Sequence, residues 1–299
     1  MRITLTGATG FLGKPLLRRL AGEGHSLAVV ARRRPPDLPA DADFHAWDAM
    51  NDEFPEAALR GCKAVIHLAG EPVGQRWSKE AKRRIRESRL NGTRRLVEAL
   101  STMSHRPEVL VAASAIGYYG DRGDEPIAED ASPGRGFLPE LCGEWERGAK
   151  LAESLGVRVV RARIGVVLSP DGGALARMLP PFRLGAGGRA GAGRQWMSWI
   201  HRSDAVELLR WAVLTREIRG AINLTAPNPA VNAGFAAALG RALHRPAFLP
   251  APAFALRILF GEMAEVVLGS QRVLPRAALE GGFVFQFPEL GPALADLLR

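Results

Sequence analysis

The 299-residue chain has two tyrosines, Tyr118 and Tyr119, adjacent in the stretch "VAASAIGYYGDRGDE". A phenol at the end of an apolar run can donate a proton to a carbonyl oxygen as hydride reaches the carbon, because alkoxide build-up in a dry site is costly. Ser114 in the same stretch offers a second hydroxyl. Two readings of Tyr119 stand side by side: a proton donor or substrate contact, and a packed aromatic whose hydroxyl is satisfied. Glu71 is either a carboxylate desolvated at a strand end, and so raised toward a general-acid range, or an exposed loop residue. Gln195, Trp199 and His201 in "QWMSWIH" form an aromatic-polar group suited to lining a substrate pocket, although core packing accounts equally well for the tryptophan. Cys142 has no nearby histidine to activate it and reads as a small buried residue. The two cysteines, Cys62 and Cys142, match no metal-ligand spacing, so no metal is expected.

A second group of residues has the types and spacing of a dinucleotide site. "TGATGFLG" sets Gly7, Gly10 and Gly13 between a strand pattern and a helix pattern. Gly7 can take a tight turn, Gly10 admits a pyrophosphate close to the backbone, and Gly13 permits close helix–sheet packing. The helix start, with Phe11 and Leu12 in the loop, supplies amide donors and a positive dipole end. At the end of the next strand, where NAD sites place an acid, the chain reads "VVARRR". Arg32 and Arg33, with Arg34 and no carboxylate, favour the 2′-phosphate of NADP. Asp48 could accept a hydrogen bond from an adenine amino group or cap its loop. His67, Leu68, Ala69 and Gly70 ("HLAG") would run their backbone along the cofactor, His67 reading more as a packed core histidine than as a base. Arg89 and Arg163 could reach phosphate or ribose, or serve as ion-pair partners.

These residues need a frame that brings strand ends together. "RITLTG", "SLAVVAR", "KAVIHLAG", "EVLVAAS" and "VRVVRARIGVVL" read as strands, alternating with helical patterns. The helices include a long one from about Ser78 to Leu100 and another from about Pro139 to Leu155. Alternation of this kind predicts an α/β fold, a Rossmann-type doubly wound parallel sheet. After Leu168 the texture turns rich in Gly and Pro. The expected layout is a nucleotide domain over residues 1–168, completed by about 199–226, and a smaller, mainly helical substrate lobe from 169–198 and 227–299. Ser203 or Asp204 is the expected N-cap of the helix after "WIHR".

"TGATGFLG", "HLAG" and "SAIGYYG" resemble the extended short-chain dehydrogenase/reductases, the NAD(P)-dependent epimerase/dehydratase family. The chain resembles in particular the atypical YfcH-like subgroup, which carries a C-terminal domain of unknown function. The stretches that match are "ASAIGYYGDRGDE", "LCGEWE", "RIGVVLSPDGGALARMLPPFRLGAGG", "QWMSWIHRSD" and "LGSQRVLPRAALEGGFVFQFPEL", which span nearly the whole chain. The resemblance implies a Rossmann fold, NADP(H) as cofactor and oxidoreductase chemistry, with contacts at Arg32, Leu68, Arg89 and Arg163 beside the glycine loop. It also exposes a departure. The family's catalytic serine falls on Ala115, leaving Ser114 one residue early and on the other side of an extended strand. The positions of its Tyr-x-x-x-Lys pair fall on Leu138 and Cys142, and the nearest lysine is Lys150.

Charge and composition narrow the alternatives. The net charge is +9, yet only five of the 40 basic residues are lysine, so the excess reads as arginine-rich composition rather than a nucleic-acid surface. No run of 18 apolar residues occurs, and the N-terminus opens into a strand pattern without a signal h-region, so no membrane partner and a cytoplasmic location are expected. Two functions remain: an NADP(H)-dependent oxidoreductase that acts on a small carbonyl or alcohol through a non-standard proton donor, and an NADP(H)-binding sensor or interaction protein without turnover. Sugar epimerisation is weaker, since it needs the missing base.

Overall fold

The computed structural model describes all 299 residues. In the first half, β1 (Arg2–Thr6), α1 (Gly13–Gly22), β2 (Ser26–Ala31), β3 (Asp43–Ala46), β4 (Ala64–His67), α2 (Lys79–Thr102) and β5 (Val109–Ala115) follow one another. Next come β6 (Pro126–Ile127), α3 (Phe137–Lys150), β7 (Arg158–Ile164), β8 (Val166–Ser169), α4 (Gly173–Arg183), β9 (Trp196–Met197), β10 (Trp199–His201) and α5 (Arg202–Leu214). The chain closes with β11 (Gly220–Leu224), β12 (Ala230–Val231), α6 (Asn232–Ala242), α7 (Ala253–Phe260), α8 (Ala264–Leu268), β13 (Arg272–Val273), α9 (Arg276–Glu280) and α10 (Leu290–Leu297).

Seven strands form one sheet in the order β11-β7-β5-β4-β1-β2-β3, and every pairing in it is parallel. The fold is the Rossmann-type α/β sheet that the alternating pattern predicts. Strand alternation sorts the side chains: Ile3 and Leu5 of β1 join the core under α1 and α5, while Val65 and Leu110 join the core under α2 and α3. Leu16, Leu17 and Leu20 of α1 are buried against the first face, each contributing on the order of 2 kcal/mol. A third core packs Leu175, Leu179 and Phe182 of α4 against Trp199, Phe235 and Leu294.

Three local expectations need correction. "VRVVRARIGVVL" is two strands, β7 and β8, broken at Gly165, where a Cβ would press within 2.6 Å of the Ser198 carbonyl oxygen. The helix expected to reach Leu155 stops at Lys150 and continues as a 3₁₀ turn over Leu151–Leu155. The N-cap of α5 is His201, whose Nδ1 accepts from the Ser203 amide. Asp204 instead turns its carboxylate to the amides of Gln286 and Phe287, tying the C-terminal segment down. That segment packs onto the sheet: β13 pairs with β6 in a separate two-stranded sheet, and Ala278 of α9 shares the core cluster of α1 and α5.

Candidate functional site

The strand order reverses between β4 and β1, so the chain leaves these neighbours in opposite directions and opens a crevice at their C-terminal ends. Thr6 and His67 are register partners there. Gly7 follows Thr6 with φ +71°, a backbone state that side chains disfavour, and a Cβ on it would lie 2.8 Å from the Leu68 carbonyl carbon. A Cβ on Gly13 would collide with the Gly7 carbonyl oxygen. The two glycines let the loop fold under the start of α1 and against Leu68–Ala69. Phe11 is gripped by the turn before α4: Cβ atoms on Gly172 and Gly173 would meet its ring at 3.0 and 3.1 Å. Leu12 is buried at the helix start.

One hydroxyl fixes the facing strand end. Thr6 Oγ1 accepts from the amides of both Leu68 and Ala69 at 3.1 Å and lies 2.8 Å from His67 Nδ1. With two amides donating to it, the single hydroxyl proton points at Nδ1, which places the imidazole proton on Nε2. His67 is fully buried beside the Trp47 ring, and burial pushes its pKa down to about 4. Its side chain is therefore the packed core histidine that the sequence reading favours over a base. Leu68 and Ala69 remain half-buried and Gly70 exposed along the crevice. Arg89 lies against Gly70 and donates from Nη1 to the carbonyl oxygens of Glu71 and Ile85 at 2.8 and 3.1 Å. Glu71 is half-buried, accepts from Gln75 at 3.4 Å and faces Arg84 at 3.7 Å.

At the end of β2, Arg32, Arg33 and Arg34 are exposed, and none meets a carboxylate. Asp48 takes its capping role, accepting from the Met50 amide at 3.0 Å and from Asn51 Nδ2 at 2.9 Å.

The residues expected to do proton chemistry gather elsewhere, in a buried network on the α3 side of the sheet. Ser114 donates to Glu146 Oε1 at 2.7 Å. Arg163 grips the same carboxylate with Nε at 2.7 Å and Nη2 at 2.9 Å. Its Nη1 donates to the Tyr119 hydroxyl at 2.8 Å, and that hydroxyl donates to Asn223 Oδ1 at 2.7 Å. Tyr119 is 0% exposed, and burial pushes its phenol up to about 12. Of the two readings open for each, Tyr119 takes that of the packed aromatic with a satisfied hydroxyl and Arg163 that of the ion-pair partner, while the catalytic candidacy of Ser114 is corrected. Tyr119 and Ser114 are not presented to a substrate, and the Arg163 guanidinium is consumed by Glu146 rather than free for a phosphate. Low-dielectric surroundings explain the arrangement, because a buried carboxylate persists only when it is paired and fully hydrogen-bonded. Glu146 and Asn223 are the residues that sequence reasoning missed; Glu146 closes the "LCGEWE" stretch, which does not mark it as buried, and Asn223 belongs to no motif.

The three residues of the expected substrate wall are not brought to one pocket: Gln195 and His201 border different cavities, and Trp199 borders neither. Trp199 is fully buried, with Nε1 donating to the Asn228 carbonyl oxygen. His201 stacks on Phe287 at 4.0 Å and caps α5. Gln195 is spent on the carbonyl oxygens of Ala190 and Val267, although it borders a cavity of about 430 Å³ with Asp124, Arg194 and Arg257. Leu138 and Cys142 do stand beside the end of β5: a Cβ on Gly117 would meet Leu138 at 3.1 Å. Cys142 is buried, and burial pushes its thiol up to about 12. Tyr118 is the tyrosine that remains half-exposed; the Arg163 guanidinium stacks on its ring at 3.6 Å, and it borders a cavity of about 450 Å³ at the sheet edge.

The glycine crevice and the sheet order have a known counterpart. Residues 3–224 match the model of the NAD dependent epimerase/dehydratase family. The chain belongs to that family. Residues 251–297 match a Domain of unknown function (DUF1731), so the epimerase-family match spans the whole sheet and the second match covers α7 to α10. Among relatives, the chain is 42% identical to the "Epimerase family protein SDR39U1 homolog, chloroplastic" of Arabidopsis thaliana, over 100% of this chain and 87% of that protein. It is 40% identical to an epimerase family protein of Mycobacterium bovis, over 98% of this chain and 96% of that one. The crystal structure of human epimerase family protein SDR39U1 (isoform 2) with NADPH superimposes with a TM-score of 0.90 at 34% identity, covering 100% of this chain and 99% of that one. No helix here is long and apolar enough to cross a membrane.

Proposed function

We propose that this epimerase-family chain is an NADP(H)-dependent oxidoreductase acting on a small carbonyl or alcohol. The observation that carries the reading is the crevice between β1 and β4, where Gly7 and Gly13 leave backbone surfaces that a Cβ would fill. The NADPH-bound human relative supports it. In this reading the amides at the start of α1 hold the pyrophosphate, and Leu68–Gly70 run along the nicotinamide half. Arg32 and Arg33 hold the 2′-phosphate, since exposed guanidiniums without carboxylate partners are free to take a phosphate in a forked contact. When bound, the cofactor supplies a hydride. On this chain's side, Glu71 and Arg84 at the mouth of the crevice contact the substrate, and Leu138 excludes water beside the end of β5.

Cofactor choice and turnover test the reading separately. Replacing Arg32 and Arg33 by Ala is expected to weaken NADPH binding about 100-fold or more in a fluorescence titration while leaving NADH binding unchanged, because each charge-assisted hydrogen bond contributes ~1.5–3 kcal/mol. Equal losses for both cofactors would overturn the assignment of the arginines. A second reading, an NADP(H)-binding sensor without turnover, is favoured by one observation: the Tyr119 and Ser114 hydroxyls are both enclosed in the Glu146 network. Steady NADPH oxidation with a panel of small aldehydes and ketones decides for the oxidoreductase. Tight NADPH binding with no oxidation across that panel decides for the sensor.

A further inference from the structure

The cavity of about 430 Å³ beside Gln195 lies between the loop after β5 and the C-terminal segment. None of its lining residues belongs to the glycine loop, to Leu68–Glu71 or to the arginines after β2. Asp121 and Asp124 come from the loop after β5, Arg194 from the segment before β9, Arg257 from α7 and Ser270 from the approach to β13.

Two acids and two bases on one cavity would ordinarily pair, and here they do not. Asp121 Oδ1 accepts from the amides of Gly123 at 3.1 Å and Ser270 at 3.3 Å. Asp124 Oδ1 accepts from Trp196 Nε1 at 2.8 Å. Both carboxylates are thus held by neutral N–H donors, while Arg194 and Arg257 are exposed and make neither an ion pair nor a hydrogen bond within the chain. Arg272, stacked on the Trp196 ring at 4.7 Å and also without a carboxylate, adds to the positive side. The floor between them is fixed: Ser270 Oγ donates to the Gly123 carbonyl oxygen at 2.6 Å and accepts from the Trp196 amide at 3.0 Å.

A guanidinium keeps its charge and presents a planar fork of donors that fits a carboxylate or a phosphate. Two of them on one cavity repel each other until an oxyanion enters between them. Ala253 and Leu268 add an apolar wall, and the volume falls in the ~300–1,000 Å³ range of small-molecule sites, so a carbon body fits along with the charge.

We infer that this cavity binds a small organic oxyanion, a carboxylate or a phosphate ester, through Arg194 and Arg257. The inference is independent of any reaction the crevice performs.

Calorimetry on the NADPH-loaded chain tests it, because the crevice is then already filled. Benzoate and phenyl phosphate serve as probes and separate a carboxylate site from a phosphate site; benzamide and benzyl alcohol are their neutral counterparts. At least one anion is expected to bind about tenfold or more tightly than its neutral counterpart, since hydrogen bonds to charged groups exceed neutral ones by about that factor. Arg194→Gln and Arg257→Gln are each expected to weaken that binding about tenfold with NADPH affinity unchanged, which also shows that the variants fold. Asp124→Asn keeps an oxygen for Trp196 Nε1 while removing a negative charge, and is expected to leave anion binding unchanged or tighter. Three results would each overturn the inference: no preference for either anion over its neutral counterpart, anion binding untouched in the double arginine variant, or anion binding lost in Asp124→Asn. Inorganic phosphate binding as tightly as phenyl phosphate, with benzoate not bound, would overturn it as well, by reducing the site to one for a bare ion.

Discussion

Tyr119 illustrates how a residue with the right chemistry can be withheld from it. Its hydroxyl accepts from Arg163 and donates to Asn223, so both of its hydrogen-bonding directions are used inside the core. A proton donor needs a free path to the substrate and a pKa near the working pH, whereas this phenol is enclosed and pushed up to about 12. Its replacement by Phe should therefore act on stability. Removing the hydroxyl leaves Asn223 Oδ1 without its donor and takes one acceptor from Arg163, a cost of about 1–3 kcal/mol for unsatisfied buried groups. Urea unfolding of Tyr119→Phe is expected to show that loss with an unchanged slope, while NADPH affinity stays at the wild-type value. Unaltered stability combined with lost turnover would return Tyr119 to the reaction. The partners that settle its role are 44 and 104 residues away in sequence, and for that reason the motif alone left two readings open.

At the scale of elements, β1 and β4 hold the crevice open through Thr6 and His67. A buried neutral histidine is a pH-sensitive pin. With its folded pKa pushed down to about 4 and an unfolded value near 6.5, the unfolded chain binds the proton that the folded chain refuses. Stability from this group is complete above pH ~6.5 and is lost as the pH falls toward ~4, by roughly 2–4 kcal/mol in all. Melting temperature followed from pH 7 to pH 4 should therefore fall less steeply in His67→Gln than in wild type; parallel curves would remove His67 as a source of the acid sensitivity. The crevice itself was legible in the sequence because it is local: strand, three glycines and helix lie within "RITLTGATGFLGKPLLRRL". Arg32 and Arg33 were legible for the same reason, at the end of the next strand. The Glu146 network was not, because "LCGEWE" identifies neither which face of α3 is buried nor what lies across it. Trp199 and His201 do not share one pocket wall for a related reason, Trp199 being core and His201 bordering a separate cavity. Their ring chemistry suits a site and a core alike, and only the packing of α6, α10 and Phe287 decides between them.

On the scale of the whole molecule, the two family matches, residues 3–224 and 251–297, meet in one interlocked body. Asn223 at the sheet's edge strand donates from Nδ2 to the Leu274 carbonyl oxygen at 2.9 Å, and the same side chain accepts from Tyr119. Ser198 Oγ donates to the Gln271 carbonyl oxygen and accepts from the Val273 amide. Buried Asp204 is neutralised in effect by the amides of Gln286 and Phe287. The Trp211 ring packs edge-on to Phe283 at 5.7 Å. A chain ending at Pro250 would leave Asn223, Ser198 and Asp204 without these partners, at about 1–3 kcal/mol for each buried group. It would also open the core at Ala278. Against a total stability of ~5–15 kcal/mol, that loss removes most or all of the margin. The 1–250 fragment is expected to be insoluble or to melt without a cooperative transition by circular dichroism, and to bind no NADPH, although every residue of the glycine crevice is present. A fragment that unfolds cooperatively and binds NADPH at the full-length affinity would mean that the C-terminal segment is an attachment to the sheet rather than part of what holds it closed.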